Sequence, residues 1–193
     1  LNATLPHPQD ETILMWFMCF VNPALLTLLM SAKLDVFINA TFSMTPSPFY
    51  QTFIVMVYDR QTMMYVPVMY FLMTHKVQEL YMHVFQQIIV LSKYRINVNS
   101  YTSDFERAIF NAAKHYFPEG FHNGCFFHFK QAIRKHMIEV LYFHKALVSL
   151  FMEVGKLDLL TIIPVEEILS YGIPYLHELM ESDLTYHSDI YES

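Results

Sequence analysis

Three apolar runs within residues 34–73 constrain the fold of this chain more than any other feature. Residues 34–42 (LDVFINATF) are rich in β-branched and aromatic side chains and run out near Pro46 and Pro48, a composition and boundary that predict a strand. Residues 49–58 and 65–73 repeat the pattern, separated by the polar Asp59-Arg60-Gln61-Thr62. Apolar and polar positions alternate little within the runs, so a three-stranded meander with both faces covered is expected. The period then changes. Val77, Leu80, Tyr81, Val84, Phe85, Ile88 and Leu91 recur at helical spacing with Lys76, Gln78, Glu79, Gln86 and Gln87 opposite, which predicts an amphipathic helix.

The elements that follow keep alternating. Residues 95–103 read as a strand ending at Asp104, 105–117 as a helix closed by Pro118, 121–127 as a strand, and 129–143 as a basic helix. Three strands, helix, strand, helix, strand, helix is an α/β order with a mixed five-stranded sheet, and it fits the ribonuclease H-like fold. Beyond His144 the pattern is helical with breaks at Gly155, Pro164, Gly172 and Pro174, and from Ser182 onward the chain is polar and expected to be loose. The division expected is a lead-in at residues 1–33, a core at 34–143 and a partial helical insertion region with its tail at 144–193.

Residues 13–30 carry no formal charge, the minimum length for a membrane span. Asn22-Pro23 interrupts them. Because Asn caps helices and Pro suits the first helical position, two short buried helices at 11–20 and 23–32 are expected, and no membrane span. Residues 1–10 hold no Lys or Arg, which argues against a secretory leader.

Only 16% of residues are charged against 54% hydrophobic, which excludes disorder. A net charge of −6 excludes a surface that is a polyanion trap throughout, while leaving room for a local basic face. Cys19 and Cys125 are the only cysteines; they cannot form a disulfide framework, and they suit the reducing cytoplasm or nucleus.

The chemistry concentrates in residues 102–136. An acid leaving a hydrophobic strand just before a helix, as Asp104 does, is positioned either to hold a catalytic metal or to cap that helix. Around it stand Phe37-Ile38-Asn39-Ala40-Thr41-Phe42, Pro48-Phe49-Tyr50-Gln51, Tyr65-Val66-Pro67-Val68, Thr74-His75-Lys76, Thr102-Ser103-Asp104-Phe105-Glu106, Phe117-Pro118 and Gly124-Cys125-Phe126-Phe127-His128-Phe129-Lys130-Gln131-Ala132. In this order and spacing the motifs resemble the catalytic domain of Mutator-like element (MULE) transposases, over most of residues 34–175.

That resemblance implies cut-and-paste DNA transposition with an Asp, Asp, Glu triad holding Mg²⁺ or Mn²⁺. Its second acid falls on Asp104, and its Cys-x-x-His on Cys125 and His128. The first acid falls on Asn39, since the family's Asp-Gly-Thr-Phe is replaced by Asn39-Ala40-Thr41-Phe42. A neutral amide cannot supply the charge that offsets divalent ions, so metal-dependent cleavage is expected to be largely lost. Asp35, four residues earlier on the same strand, lies roughly 13 Å away at strand rise and is not expected to substitute. Residues 159–164 and 168–173 resemble the family's helical insertion. Its third acid lies beyond that insertion and is expected to be missing, so Glu166, Glu167, Glu178 and Glu181 are assigned no role.

Cys125 and His128 are also zinc-type ligands, with Cys19, His115 and His122 as the remaining candidates; the simpler reading is a buried Cys and a helix His that orients the site. Lys130, Arg134 and Lys135 form a local basic cluster suited to tracking phosphates or to facing solvent, Lys130 and Arg134 on one helical face. Glu106 and Arg107 read as first-turn dipole and surface partners, and His136 and His144 as ordinary helix residues. The expectation is a nuclear, DNA-engaging transposase core, able to self-associate, partial and inactive as it stands. The alternative is a domesticated module that binds DNA or protein without catalysis.

Overall fold

The computed structural model describes residues 2–30, 33–141 and 145–186, and its N-terminal segment departs at once from the expected pair of helices. β1 (Asn2–His7) and β2 (Asp10–Val21) form an antiparallel hairpin whose closing pair, His7 and Asp10, brackets Pro8-Gln9. A 3-10 helix at Leu25–Met30 follows, with Asn22 Oδ1 accepting the Ala24 N–H at 3.0 Å. The break at Asn22-Pro23 falls where expected, between β2 and the 3-10 helix, but the first apolar stretch is a strand. Residues 13–21 are apolar without a break, and such a run has no period to separate helix from strand. Ile, Trp, Phe and Val favour the pleated surface once a partner strand is available.

That partner comes from the three apolar runs. β3 (Leu34–Thr41), β4 (Gln51–Asp59) and β5 (Met64–Met73) make the expected antiparallel meander, and β2 pairs with β5 from Phe17↔Met73 to Val21↔Met69. Helix α1 (Gln78–Leu91) leads to β6 (Val98–Ser103), which lies parallel to β3; α2 (Arg107–Tyr116) leads to β7 (Phe121–Gly124), parallel to β6. The sheet therefore has seven strands, ordered β1-β2-β5-β4-β3-β6-β7, rather than five. The two additional strands are the hairpin.

One face of this sheet carries the core of the unit Leu1–Cys125. Phe17, Val36, Ile38, Phe53, Val55, Val57, Phe71 and Tyr101 meet Leu80, Tyr81, Val84, Phe85 and Ile88 of α1 and Ile109, Ala112 and Ala113 of α2. The strand parity holds except in β5, where Val68 and Met69 are both buried because the register shifts between Val55 and Met56. Both faces were expected to be covered, but Phe20, Tyr65 and Tyr70 on the opposite face are exposed. Apolar residues such as Phe37, Ile54 and Met56 occupy that outward parity, which hid the alternation in the sequence.

The second unit, Phe126–Ser193, is helical as expected. It holds α3 (Phe126–Glu139), α4 (Lys145–Phe151), short 3-10 and π turns between Leu157 and Gly172, and α5 (Ile173–Tyr186). Met137, Val148, Phe151, Leu157 and Leu176 form its core. Gly155 sits at φ +88°, where a side chain would be strained, and its N–H and that of Lys156 both donate to Asp158 Oδ1 at 2.9 Å. Helix α3 begins three residues before its expected start, which puts His128 in its first turn. Residues 142–144, including His144, and the tail from 187 lie outside the described residues.

Candidate functional site

β3 and β6 are neighbours and run parallel, paired from Leu34↔Val98 to Phe37↔Thr102. Two residues past the last pair on each chain stand Asn39 and Asp104. Asn39 is exposed, on the face opposite Val36 and Ile38. Asp104 is half-buried, and its Oδ1 accepts the Glu106 N–H at 3.1 Å. This is an Asx turn one step ahead of α2, whose N-cap is Glu106 with no side-chain cap; Asp104 is therefore not the cap.

Asp35 is occupied elsewhere. Asn99 Nδ2 and Ser100 Oγ donate to its Oδ1 at 3.0 and 2.7 Å, and Arg60 lies 3.4 Å from Oδ2. Those hydrogen bonds, Asn99 first, hold its carboxyl below the usual carboxylate range.

Behind Asp104 runs a buried polar chain. Gln51 is fully buried and donates from Nε2 to the Tyr81 hydroxyl at 2.7 Å, and the half-buried Glu106 carboxyl lies near that hydroxyl. Burial raises the Glu106 carboxyl above its ordinary value; Lys76 opposes the shift, Asp104 adds to it and the nearby Tyr81 hydroxyl opposes it. Burial likewise pushes the Tyr81 phenol up. Glu106 is thus more than a surface partner at a helix start. The sequence held one signal for this chain: Gln51 shares the buried parity of Phe53, Val55 and Val57, and a polar residue there requires a partner.

On the other side, the buried Ser103 hydroxyl bonds the Asp104 carbonyl and His122 Nε2, each at 2.9 Å. Burial pushes the His122 imidazole below its ordinary value. Cys125 is half-buried, and its N–H donates to the Ser103 carbonyl at 2.8 Å. In the second unit, His128 Nδ1 is buried and has no hydrogen-bond partner among the described residues.

The three expected basic residues do not act alike. Lys130 and Arg134 line one cavity of about 540 Å³ with Phe127, Gln131 and Met152. The Lys130 ammonium donates to the Met152 carbonyl at 2.8 Å and lies over the Phe126 ring. Lys135 instead pairs with Glu139 at 3.7 Å on an exposed face.

With this arrangement in view, residues 36–132, half of the chain, match the MULE transposase domain. The chain belongs to that family. No curated protein matches it. The MULE match spans β3 through the first half of α3 and so includes Asn39, Asp104, Cys125 and His128.

The family's divalent ions can be tested against the donors present. A pair of hard cations needs several anionic oxygens in one place. Positions 39 and 104 of this MULE domain offer one carboxylate, itself holding a backbone N–H, and one neutral amide. That set does not fit two divalent ions. Among the described residues no three His, Cys, Asp or Glu side chains converge to hold a metal ion. Zinc gains no support from Cys19, whose thiol burial pushes up to about 11. No helix among the described residues is long and apolar enough to cross a membrane.

Proposed function

We propose that this MULE domain is a ribonuclease H-like transposase core that retains the position of its metal site without the charge to load it, and engages DNA without cutting it. The observation that supports the reading is the parallel β3–β6 register, whose continuation past Phe37↔Thr102 would set position 39 beside position 104. The order β5-β4-β3-β6-β7, an antiparallel meander extended by two parallel strands, supports the fold assignment. Transposon-end DNA is the partner this reading implies, the nucleus its place of action, and self-association its expected mode. Lys130 and Arg134 are the phosphate contacts on the second unit.

The test is calorimetric titration of Mn²⁺ into the parent, Asn39→Asp and Asn39→Asp/Asp104→Asn. The expected result is negligible heat with the parent and the double variant, and binding at least about tenfold tighter, ~1.4 kcal/mol, in the single variant. Equal binding by all three would sink the assignment of these two positions to one site.

A further inference from the structure

A second concavity beside Asp104 has no part in the metal site. Phe105, Arg107, Phe110, His122 and Gly124 line a cavity of about 290 Å³ between the start of α2 and the edge strand β7. Its lining holds a guanidinium and no carboxylate. Neither acid flanking Phe105 in the chain lines it: Asp104 Oδ1 is turned onto the Glu106 N–H, and Glu106 is half-buried near Tyr81. Lys114 lies 5.7 Å from the centre of the Phe110 ring, so Arg107, Phe110 and Lys114, at i, i+3 and i+7, set two cations along one helical face with an aromatic ring between them.

Phe105 is the unusual member. It is 58% exposed although large and apolar, and its ring lies so close to Gly124 that a Cβ there would come within 2.7 Å of it. The glycine thus lets an aromatic platform rest on the strand edge while staying open to solvent. An exposed ring flanked by cations takes a base on its π face and a phosphate on its charge. A base inside a stacked duplex cannot reach such a recess, whereas an unpaired one can.

We infer that this cavity binds one unpaired nucleotide of single-stranded DNA, its base stacked on Phe105 and its phosphate held by Arg107, with Lys114 beyond the Phe110 ring taking the neighbouring phosphate of the strand. The inference rests on the DNA-engaging reading above but assigns a surface distinct from Lys130 and Arg134, and a preference for unpaired strand.

The experiment is fluorescence anisotropy of an oligothymidine probe and of a duplex of equal length, in low salt without divalent metal, on the full chain. Phe105→Ala is expected to weaken single-strand binding about 5- to 150-fold, the range for losing one stacked base, and to leave duplex binding unchanged. Phe121→Ala, 70% exposed but on the opposite face of β7, should leave both unchanged. Lys114→Gln should flatten the single-strand salt slope by about 0.7. A fluorescent adenine analogue in the strand should be quenched by the parent and not by Phe105→Ala; if that variant misfolds, the parent's quenching and the Lys114 slope decide. Duplex binding with neither quenching nor a Phe105 effect overturns the nucleotide site and leaves the DNA reading standing. Binding of neither probe overturns both.

Discussion

Asn39→Asp should destabilise the chain when metal is withheld, and divalent metal should reverse the loss. Neighbouring strands lie about 4.8 Å apart, so continuing the β3–β6 register brings the new carboxylate roughly 5 Å from that of Asp104. At that distance two unit charges repel by about 3 kcal/mol at an effective dielectric of ~20 and by about 0.8 kcal/mol in bulk water. Asn39 is exposed and Asp104 half-buried, which puts the penalty between these limits, about 1–2 kcal/mol. For a chain of this size that lowers Tm by about 2–8 °C. Thermal unfolding followed by circular dichroism in chelator at neutral pH measures it. Mn²⁺ at a hundredfold excess over its Kd should add about 2.7 kcal/mol to the variant and nothing to the parent. Acidification should also narrow the gap, because protonating either carboxyl removes the repulsion. A variant as stable as the parent in chelator and indifferent to Mn²⁺ would show that positions 39 and 104 are not neighbours, and the reasoning from register would fall with it.

The other predictions concern what holds the site. Tyr81→Phe leaves the Gln51 amide, whose Oε1 has no partner among the described residues, with the Met73 sulfur at 3.5 Å as its remaining described contact. A cost of about 1–3 kcal/mol by urea denaturation is expected, and adding Gln51→Leu should recover most of it. The Glu106 carboxyl is raised in the folded state chiefly by burial, so its contribution to stability is fully present below the unfolded carboxyl range and is lost as pH rises through the folded value. Glu106→Gln should therefore raise Tm relative to the parent at neutral pH, with the gain vanishing in acid; a gain independent of pH would contradict this. Phe17→Ala should cost about 3–5 kcal/mol, while Leu14→Ala, 60% exposed on the same strand, should stay within about 0.5 kcal/mol. Similar losses at both positions would argue against the strand register of β2.

Much of the central fold was legible because it is written in local periods. Leu80, Val84 and Ile88 share one stripe of α1, a pattern complete within its own segment, and β4 shows in its run of β-branched and aromatic residues even though its inward parity does not. The hairpin was not legible, since residues 13–21 are apolar at every position and only the edge of β5 decides between helix and strand. The exposure of Asn39 was hidden for a related reason, its neighbours being apolar on both faces. Among the candidate site residues, Asp104 stands out in the sequence by its place between strand and helix. Glu106 could not, because its environment is made by Tyr81 and Gln51, each more than twenty residues away in sequence and brought together only by the packing of α1 on β4.

Fold and chemistry make opposite demands at position 39. A carboxylate there serves a metal but repels Asp104 whenever the metal is absent, whereas an amide imposes no such repulsion and leaves β3 paired to β4 at Asn39↔Ile54. Nothing in the core depends on the exchange: Val36 and Ile38 face the helices, and Asn39 faces away. An amide at position 39 is therefore compatible with full retention of the sheet and of the Gln51–Tyr81 hydrogen bond. On the reading proposed above, binding and cleavage would separate at this position, and a measurement that reads them independently distinguishes a folded domain that binds without cutting from an unfolded one.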